Sequence, residues 1–93
     1  MYARVATISG DHIEQVVKFL EENNTKDKKG YKGGYVLTDH NKQKTMTVTL
    51  WKSKETLDDS FPEAKKILDQ ISKDITGMPI EIEVYEVAAK AKK

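Results

Sequence analysis

The sequence predicts an α+β domain in which two helices cover one face of a four-stranded antiparallel sheet. Four short segments alternate between apolar and polar residues or are rich in β-formers, and two longer segments carry apolar residues at three- and four-residue steps. These segments follow one another in the order β-α-β-β-α-β, which is the ferredoxin-like arrangement. The 93 residues are enough for one domain and too few for two.

The first strand and the first helix are predicted within the opening 24 residues. Residues 2–8 are rich in β-formers and end at Ser9-Gly10, which is typical of a strand. Asp11 and Glu14 have the spacing of a capping box, in which each side chain bonds a backbone N–H that the helix leaves free. We therefore expect a helix over about 11–24. Its apolar stripe consists of Ile13, Val16, Val17 and Leu20, extended by Phe19.

The middle of the chain predicts a basic loop followed by a β-hairpin. Residues 26–34 are rich in lysine and glycine, and we interpret the glycines as turn and bulge positions before the second strand. Residues 35–39 and 44–51 predict two strands, and the polar link between them has hairpin length, so they should pair antiparallel. One face of the third strand carries Met46, Val48 and Leu50, and the other carries Thr45, Thr47, Thr49 and Trp51.

The last part of the domain predicts a second helix and a fourth strand. Ser53 starts a short helical turn, and Ser60 with Glu63 forms a second capping box that restarts the helix, with Pro62 in its first turn. The stripe of this helix consists of Phe61, Ala64, Leu68, Ile71 and Ile75, and Gly77-Met78-Pro79 ends it. Residues 80–87 alternate as the fourth strand. We expect one domain over residues 1–88 and a solvent-facing basic tail over 89–93.

Composition excludes several classes of function. Lys and Arg total 16 against 15 Asp and Glu, so we expect no nucleic-acid partner, which would require a basic excess. The chain has no cysteine, which excludes disulfides, thiolate catalysis and zinc–thiolate sites. No apolar run approaches the roughly 20 residues of a membrane span, so we expect no membrane association and a cytoplasmic location. His12 and His40 are remote in sequence and lack acidic neighbours at a ligand spacing, so no metal site is expected.

The predicted sheet has apolar side chains on both faces. Helices on one side leave the row of Met46, Val48 and Leu50 uncovered. A second copy that pairs its own sheet with this face would bury the row, so we expect a homodimer.

Six residues are candidates for contact with a ligand, and each also has an ordinary structural role. Trp51 either packs beneath the second helix or forms the wall of an apolar pocket and stacks on a flat ligand. Thr47 and Thr49 either line that pocket with hydroxyls or suit a strand because they are β-branched. Arg4 lies among core-directed residues and either pairs with Glu81 or Glu83 or contacts an anionic ligand. The remaining candidates are His12, a neutral base or a surface residue at a helix start, and Tyr35.

Three segments resemble the antibiotic-biosynthesis-monooxygenase-like proteins of the dimeric α/β-barrel superfamily. They are G-Y-K-G-G-Y-V-L-T-D at 30–39, T-V-T-L-W-K-S-K-E at 47–55 and I-E-V-Y-E-V at 82–87. The most specific feature is a strand that ends in Leu-Trp and is followed by a serine-started helix. The resemblance implies a homodimer whose two sheets close a barrel, with a pocket between sheet and helices in each subunit. It also implies that Tyr31 and Tyr35 lie near the pocket mouth.

The resemblance implies three kinds of function. Some members oxidise planar aromatic or quinol-type molecules with O₂ and no cofactor, so a small planar apolar ligand and no cofactor are expected. Haem-degrading members use an asparagine of the first strand, the tryptophan and a histidine of the second helix. Only Trp51 matches that set, so haem degradation is not expected. The alternative is a non-catalytic dimer that binds a small ligand or serves as a structural module.

Overall fold

The computed structural model of the chain describes residues 1–23 and 28–91 and confirms the predicted order of elements. The strands alternate with the helices as β-α-β-β-α-β, and a short π-helical segment extends the second helix. The elements are β1 Tyr2–Ser9, α1 Ile13–Glu22, β2 Tyr31–Asp39, β3 Lys44–Trp51, α2 Lys54–Ile71, the π-helical segment Ser72–Thr76 and β4 Glu81–Glu86.

The four strands form one antiparallel sheet in the order β2-β3-β1-β4. The central strand β1 pairs with β3 from Tyr2↔Trp51 to Ser9↔Lys44, and with β4 from Tyr2↔Glu86 to Thr7↔Glu81. Successive side chains of a strand point to opposite faces, so alternate residues of β1 face the helices. The core cluster lies between the sheet and the two helices. It consists of Ala6 and Ile8 of β1, Val16 of α1, and Leu68 and Ile71 of α2.

Helix α1 begins one residue later than its capping motif predicts, since its N-cap is His12 and not Asp11. The N-cap residue is His12, without a side-chain cap, and the carboxylate of Asp11 lies 3.4 Å from the Nε2 atom of His12 instead. The predicted capping box is therefore wrong, because Asp11 stands one residue before the position from which it could reach the helix N–H groups. At the other end, the side-chain amide of Asn23 donates to the Phe19 carbonyl at 2.9 Å. The predicted last residue, Asn24, lies outside the described part of the chain.

Helix α2 is continuous where the sequence predicts a turn and a restart. Ser53 is its N-cap and forms a capping box with Thr56. Ser60 lies inside the helix, is buried, and donates from its Oγ to the Leu57 carbonyl at 2.7 Å. The predicted cap at Ser60 is wrong, because a serine inside a helix can bond back to a carbonyl of the preceding turn. Pro62 is accommodated within the helix interior.

Strand β2 begins at Tyr31, four residues before the predicted start. It contains the glycines that the sequence places ahead of the strand, and a bulge lies between Tyr31 and Gly33. The bulge itself is confirmed, with Gly33 at a φ of 123°. The longer strand follows from its partner, since Tyr31 pairs with Trp51 at the far end of β3. Lys26, in the predicted basic loop, lies outside the described residues.

The sheet face away from the helices is apolar and open. Tyr35 is 65% exposed, Leu37 49% and Tyr85 49%, and the half-buried Met46, Val48 and Leu50 lie on the same face. On the opposite side, both helices contact the sheet, α1 on β3 and α2 on β1 and β3. Among the described residues, no helix has the length and apolar character that crossing a membrane requires.

Candidate functional site

A cavity of about 170 Å³ lies between the sheet and the two helices. We refer to it as the sheet–helix cavity. Its helix side is apolar and consists of Leu20, Ala64, Ile67 and Leu68, with Asn23 at the end of α1. Its sheet side includes polar groups from Arg4, Tyr31, Thr47 and Thr49. The exposed residues Tyr35 and Val36 of the edge strand β2 contribute its outer rim.

Arg4 is the charged group of the cavity. The residue is only 5% exposed, and its Nη1 donates to Ser60 Oγ at 3.0 Å and to the Leu57 carbonyl at 3.4 Å. Burial lowers the pKa of the guanidinium below its ordinary value. Its central carbon lies 5.4 Å from the centre of the Trp51 ring, within the range of a cation–π contact.

The predicted pairing of Arg4 with a glutamate of β4 is wrong. In the sheet, Arg4 stands directly opposite Val84. Glu81 and Glu83 alternate with Val84 along β4, so their side chains project from the other face of the sheet. Arg4 instead bonds to two neutral oxygen atoms of α2.

Trp51 lies behind the wall of the cavity. Its side chain is 0% exposed and is not among the residues that line the cavity. The indole Nε1 donates to Thr49 Oγ1 at 3.0 Å, and the ring meets that of Tyr31 edge to face with centres 5.4 Å apart. Trp51 thus packs in the core and positions three lining residues, Arg4, Thr49 and Tyr31, around the cavity.

The hydroxyl groups that line the cavity come from four residues of β2 and β3: Tyr31, Tyr35, Thr47 and Thr49. Thr49 Oγ1 accepts the indole N–H, so its own hydroxyl proton is available to another acceptor. Tyr31 lies over Gly34, where an added Cβ would stand 2.9 Å from the Tyr31 hydroxyl and 2.7 Å from the Val48 carbonyl oxygen. A glycine at this position is what allows the phenol to lie flat against the strand.

The structure brings together four of the six sequence candidates at the cavity: Arg4, Tyr35, Thr47 and Thr49. His12 is placed elsewhere, exposed at the start of α1 beside Asp11. His40 lies in the hairpin turn, next to a shallow groove along α1. Over residues 1–23 and 28–91, no three histidine or acidic side chains gather as a metal ion would need.

Tyr31, which only the family resemblance places near the pocket mouth, and the helix side of the cavity are not among the six candidates. The sequence predicts a loop at Tyr31, because it lies within the basic segment 26–34, whose glycines are interpreted as turn and bulge positions. The signal that could have identified it is the register, since a strand long enough to cover β3 sets Tyr31 opposite Trp51. Leu20, Ala64 and Leu68 belong to the predicted helix stripes, and the pattern alone does not distinguish cavity wall from core.

The sequence matches no family model and no curated protein, whereas its structure resembles several solved ones. A Deinococcus radiodurans protein provisionally named an antibiotic biosynthesis monooxygenase superposes with a TM-score of 0.80 at 15% identity, over 100% of this chain and 98% of that one. A Streptomyces coelicolor monooxygenase from the gene ActVA-Orf6, in complex with nanaomycin D, has a TM-score of 0.76 at 13% identity, over 99% and 91%.

A third similar structure is a haem degrader, MhuD of Mycobacterium tuberculosis, with two haems bound in its active site. It gives a TM-score of 0.73 at 15% identity and covers 99% of this chain and 100% of that one. At sequence identities of 13–15%, the structural similarity shows that these proteins share a fold. The chain therefore has the antibiotic-biosynthesis-monooxygenase-like fold, as the resemblance in its sequence predicts.

Proposed function

We propose that the protein is a small monooxygenase that binds a planar aromatic or quinol-type molecule in the sheet–helix cavity and oxidises it with O₂ without a cofactor. The observation that carries this proposal is the two-sided cavity, apolar on the helices and polar on the sheet. Its volume of about 170 Å³ is close to the roughly 150 Å³ of an engineered cavity that holds one benzene molecule. One ring would be enclosed, and further rings would extend past Tyr35 at the rim.

The chemistry requires little of the protein beyond a dry, oriented site. An electron-rich ring that bears a methylene group beside a phenol can react with O₂, so that the CH₂ becomes C=O and the second oxygen atom leaves as water. All four electrons that O₂ accepts come from the substrate carbon. In this proposal Thr49 and Tyr31 donate hydrogen bonds that orient the ring, and the apolar helix side excludes water. The monooxygenase named among the similar structures supports this choice of reaction.

A second candidate, a non-catalytic binding protein, is favoured by one specific observation. The described residues that line the cavity include no histidine, aspartate or glutamate that could accept a proton from the substrate. Haem is included as a test ligand because one structurally similar protein binds it. The cavity side of α2 presents Ala64, Ile67 and Leu68, so we do not expect α2 to supply an iron ligand.

We further infer that the protein works as a homodimer. The apolar row of Met46, Val48 and Leu50, with the exposed Leu37 beside it, lies on the face that a second sheet would cover. This arrangement would leave each sheet–helix cavity on the outer side of its own sheet, beneath its own helices.

Oxygen uptake and product formation test the proposed reaction. Anthrone, whose methylene group the proposed reaction would convert to C=O, is added to the wild type, to Ala64→Leu, which fills the cavity, and to the matched control Ala89→Leu at an exposed position. We expect quinone formation with O₂ uptake in the wild type and the control and its loss in Ala64→Leu. Binding without O₂ uptake would favour the non-catalytic candidate. A haemin absorption change that only Ala64→Leu abolishes would favour haem as the ligand.

A further inference from the structure

We propose that the sheet–helix cavity selects a negatively charged ligand, and that Arg4 binds its oxyanion, a carboxylate or phenolate oxygen on the enclosed ring. This inference rests on the proposed function only in using the same cavity, and it holds whether or not the ligand is oxidised. It narrows the ligand class from planar aromatic molecules to planar aromatic anions.

The first argument is the burial of a permanent charge. An arginine side chain stays protonated in proteins, and Arg4 is 95% removed from solvent on a cavity-facing strand position. Transferring such a charge out of water is expensive unless an opposite charge compensates it. A residue in this position is therefore expected to have an anionic partner.

The second argument is that the described part of the chain supplies no such partner. Its ion pairs join Lys28 with Glu63 and Lys65 with Asp69, and the carboxylate of Asp11 contacts the His12 ring. The nearest acidic residues of the sheet are on β4. Glu81 and Glu83 project from the opposite face, and Glu86 accepts a hydrogen bond from Tyr2 at 3.1 Å. No acidic residue is among the described residues that line the cavity.

The third argument is the direction of the free donors. Nη1 makes both hydrogen bonds of Arg4, to Ser60 and Leu57, which leaves Nε and Nη2 without a bond in the described chain. Every buried side-chain nitrogen or oxygen of the described residues has a partner. Nε and Nη2 are therefore not fully buried, and Arg4 is one of the residues that line the cavity. Two parallel donors of this kind match the two oxygens of a carboxylate.

The surroundings of Arg4 fix the guanidinium in place for this role. Ser60 and Leu57 anchor one end, and the Trp51 ring lies against it at 5.4 Å. Thr49 is the direct cross-strand partner of Arg4, and its hydroxyl proton remains free to donate to the same anion. A ligand anion would thus meet donors that are already oriented, which reduces the entropic cost of binding.

The test compares benzoate with benzamide, two probes of nearly the same shape that differ in charge. Each is titrated calorimetrically into the wild-type protein at low ionic strength, where charge interactions are least screened. We expect benzoate to bind about 10- to 100-fold more tightly, the range for a hydrogen bond to a charged group. The single indole N–H signal of Trp51 should shift on binding, because its acceptor Thr49 lines the cavity.

Three variants assign the preference to one side chain. Arg4→Met should bind benzoate and benzamide with similar affinity. Arg4→Lys should keep a reduced preference for benzoate, because lysine keeps the charge but cannot form the bidentate hydrogen bonds of a guanidinium. Lys65→Met is the matched control, an exposed cation of α2 whose removal should leave the preference unchanged. Far-ultraviolet circular dichroism verifies folding of each variant, and the wild-type comparison stands even if Arg4→Met fails to fold.

The outcomes separate this inference from the proposed function. Equal affinity of the wild type for the two probes overturns the inference and leaves the cavity as a site for neutral rings. A preference for benzoate that survives in Arg4→Met overturns the assignment to Arg4. Failure of both probes to bind overturns the inference together with the cavity on which the proposed function depends.

Discussion

At the scale of single residues, Trp51 supports the site from behind. Its indole is fully buried, bonds to Thr49 and contacts both the Tyr31 ring and the Arg4 guanidinium. The sequence leaves open whether Trp51 packs or contacts a ligand. The structure places it in the core, one layer from the cavity, so any effect of Trp51 on a ligand would pass through its three neighbours.

Truncation of Trp51 should therefore affect stability first. We expect Trp51→Ala to lower the free energy of unfolding by about 3–5 kcal/mol, the range for removing a large buried aromatic, and Trp51→Phe to cost less. Urea unfolding followed by circular dichroism measures the change. Met78→Ala, at a residue that is 46% exposed, serves as the control and should stay near the wild type. A loss below about 1 kcal/mol in Trp51→Ala would contradict the packing role.

Two tyrosines should ionise later than usual. Tyr2 donates to Glu86 at 3.1 Å and Tyr85 donates to Glu83, and these bonds to carboxylates raise the pKa of each phenol. The raised pKa means that both bonds persist at neutral pH. They are lost as pH rises past the ordinary tyrosine value of about 10 and through the raised one.

The ultraviolet absorbance of tyrosinate tests this expectation. The titration should contain late steps from Tyr2 and Tyr85, and Tyr2→Phe and Tyr85→Phe should each remove one of them. Tyr35→Phe is the control and should leave both late steps in place. Late steps that survive in both Tyr2→Phe and Tyr85→Phe would contradict the assignment.

At the scale of elements, α2 contains two serines that both resemble helix N-caps in the sequence, but only one of them caps the helix. Ser53 and Ser60 both precede residues that suit a helix start, yet only Ser53 caps. Continuity through Pro62 leaves the Asp58 carbonyl without its usual amide donor, since proline has no N–H. The buried stripe on either side of the proline, with Leu57 at 1% and Leu68 at 6% exposure, holds the two halves of α2 against the sheet.

Replacing this proline should stabilise the protein. Proline inside a helix is about 3 kcal/mol less favourable than alanine, and part of that penalty is offset by its restriction of the unfolded chain. We expect Pro62→Ala to raise the free energy of unfolding by about 1–2 kcal/mol. Lys66→Ala, at an exposed position of the same helix, provides a control for the change in composition. A lower urea midpoint for Pro62→Ala would show that packing depends on the proline ring.

The strands were predictable where the local pattern and the pairing agree. β3 has the predicted bounds, because eight residues of strict alternation leave one choice of face. The start of β2 was not predictable from its own glycine-rich residues, since its partner β3 determines its length. The partner of Arg4 depends on the register of β4, where a shift by one residue exchanges Val84 for a glutamate. Of the site, the residue pattern identified lining residues on the strands, whereas the pocket between sheet and helices was expected from the family resemblance and not from the pattern.

At the scale of the whole molecule, the open sheet face should determine the assembly. Leu37 and Val48 lie on this face, and Leu37 is 49% exposed. Size exclusion with light scattering should give a mass twice the 10.6 kDa of the chain. We expect Leu37→Lys to give a monomer at micromolar concentration, because a lysine ammonium would be buried unpaired between the sheets. Lys66→Leu, on the exposed surface of α2, should remain a dimer. A wild type of 10.6 kDa would contradict the homodimer.

The central position of β1 also has a consequence for synthesis on the ribosome. One edge of β1 can pair as soon as β3 emerges, but its other edge pairs with residues 81–86, and the Met1 carbonyl accepts from the Val87 N–H at 2.9 Å. The strand translated first therefore waits for almost the whole chain before its last hydrogen bonds can form. During that interval the nascent chain has an unpaired strand edge, which is the feature that chaperones shield and that neighbouring nascent chains can capture.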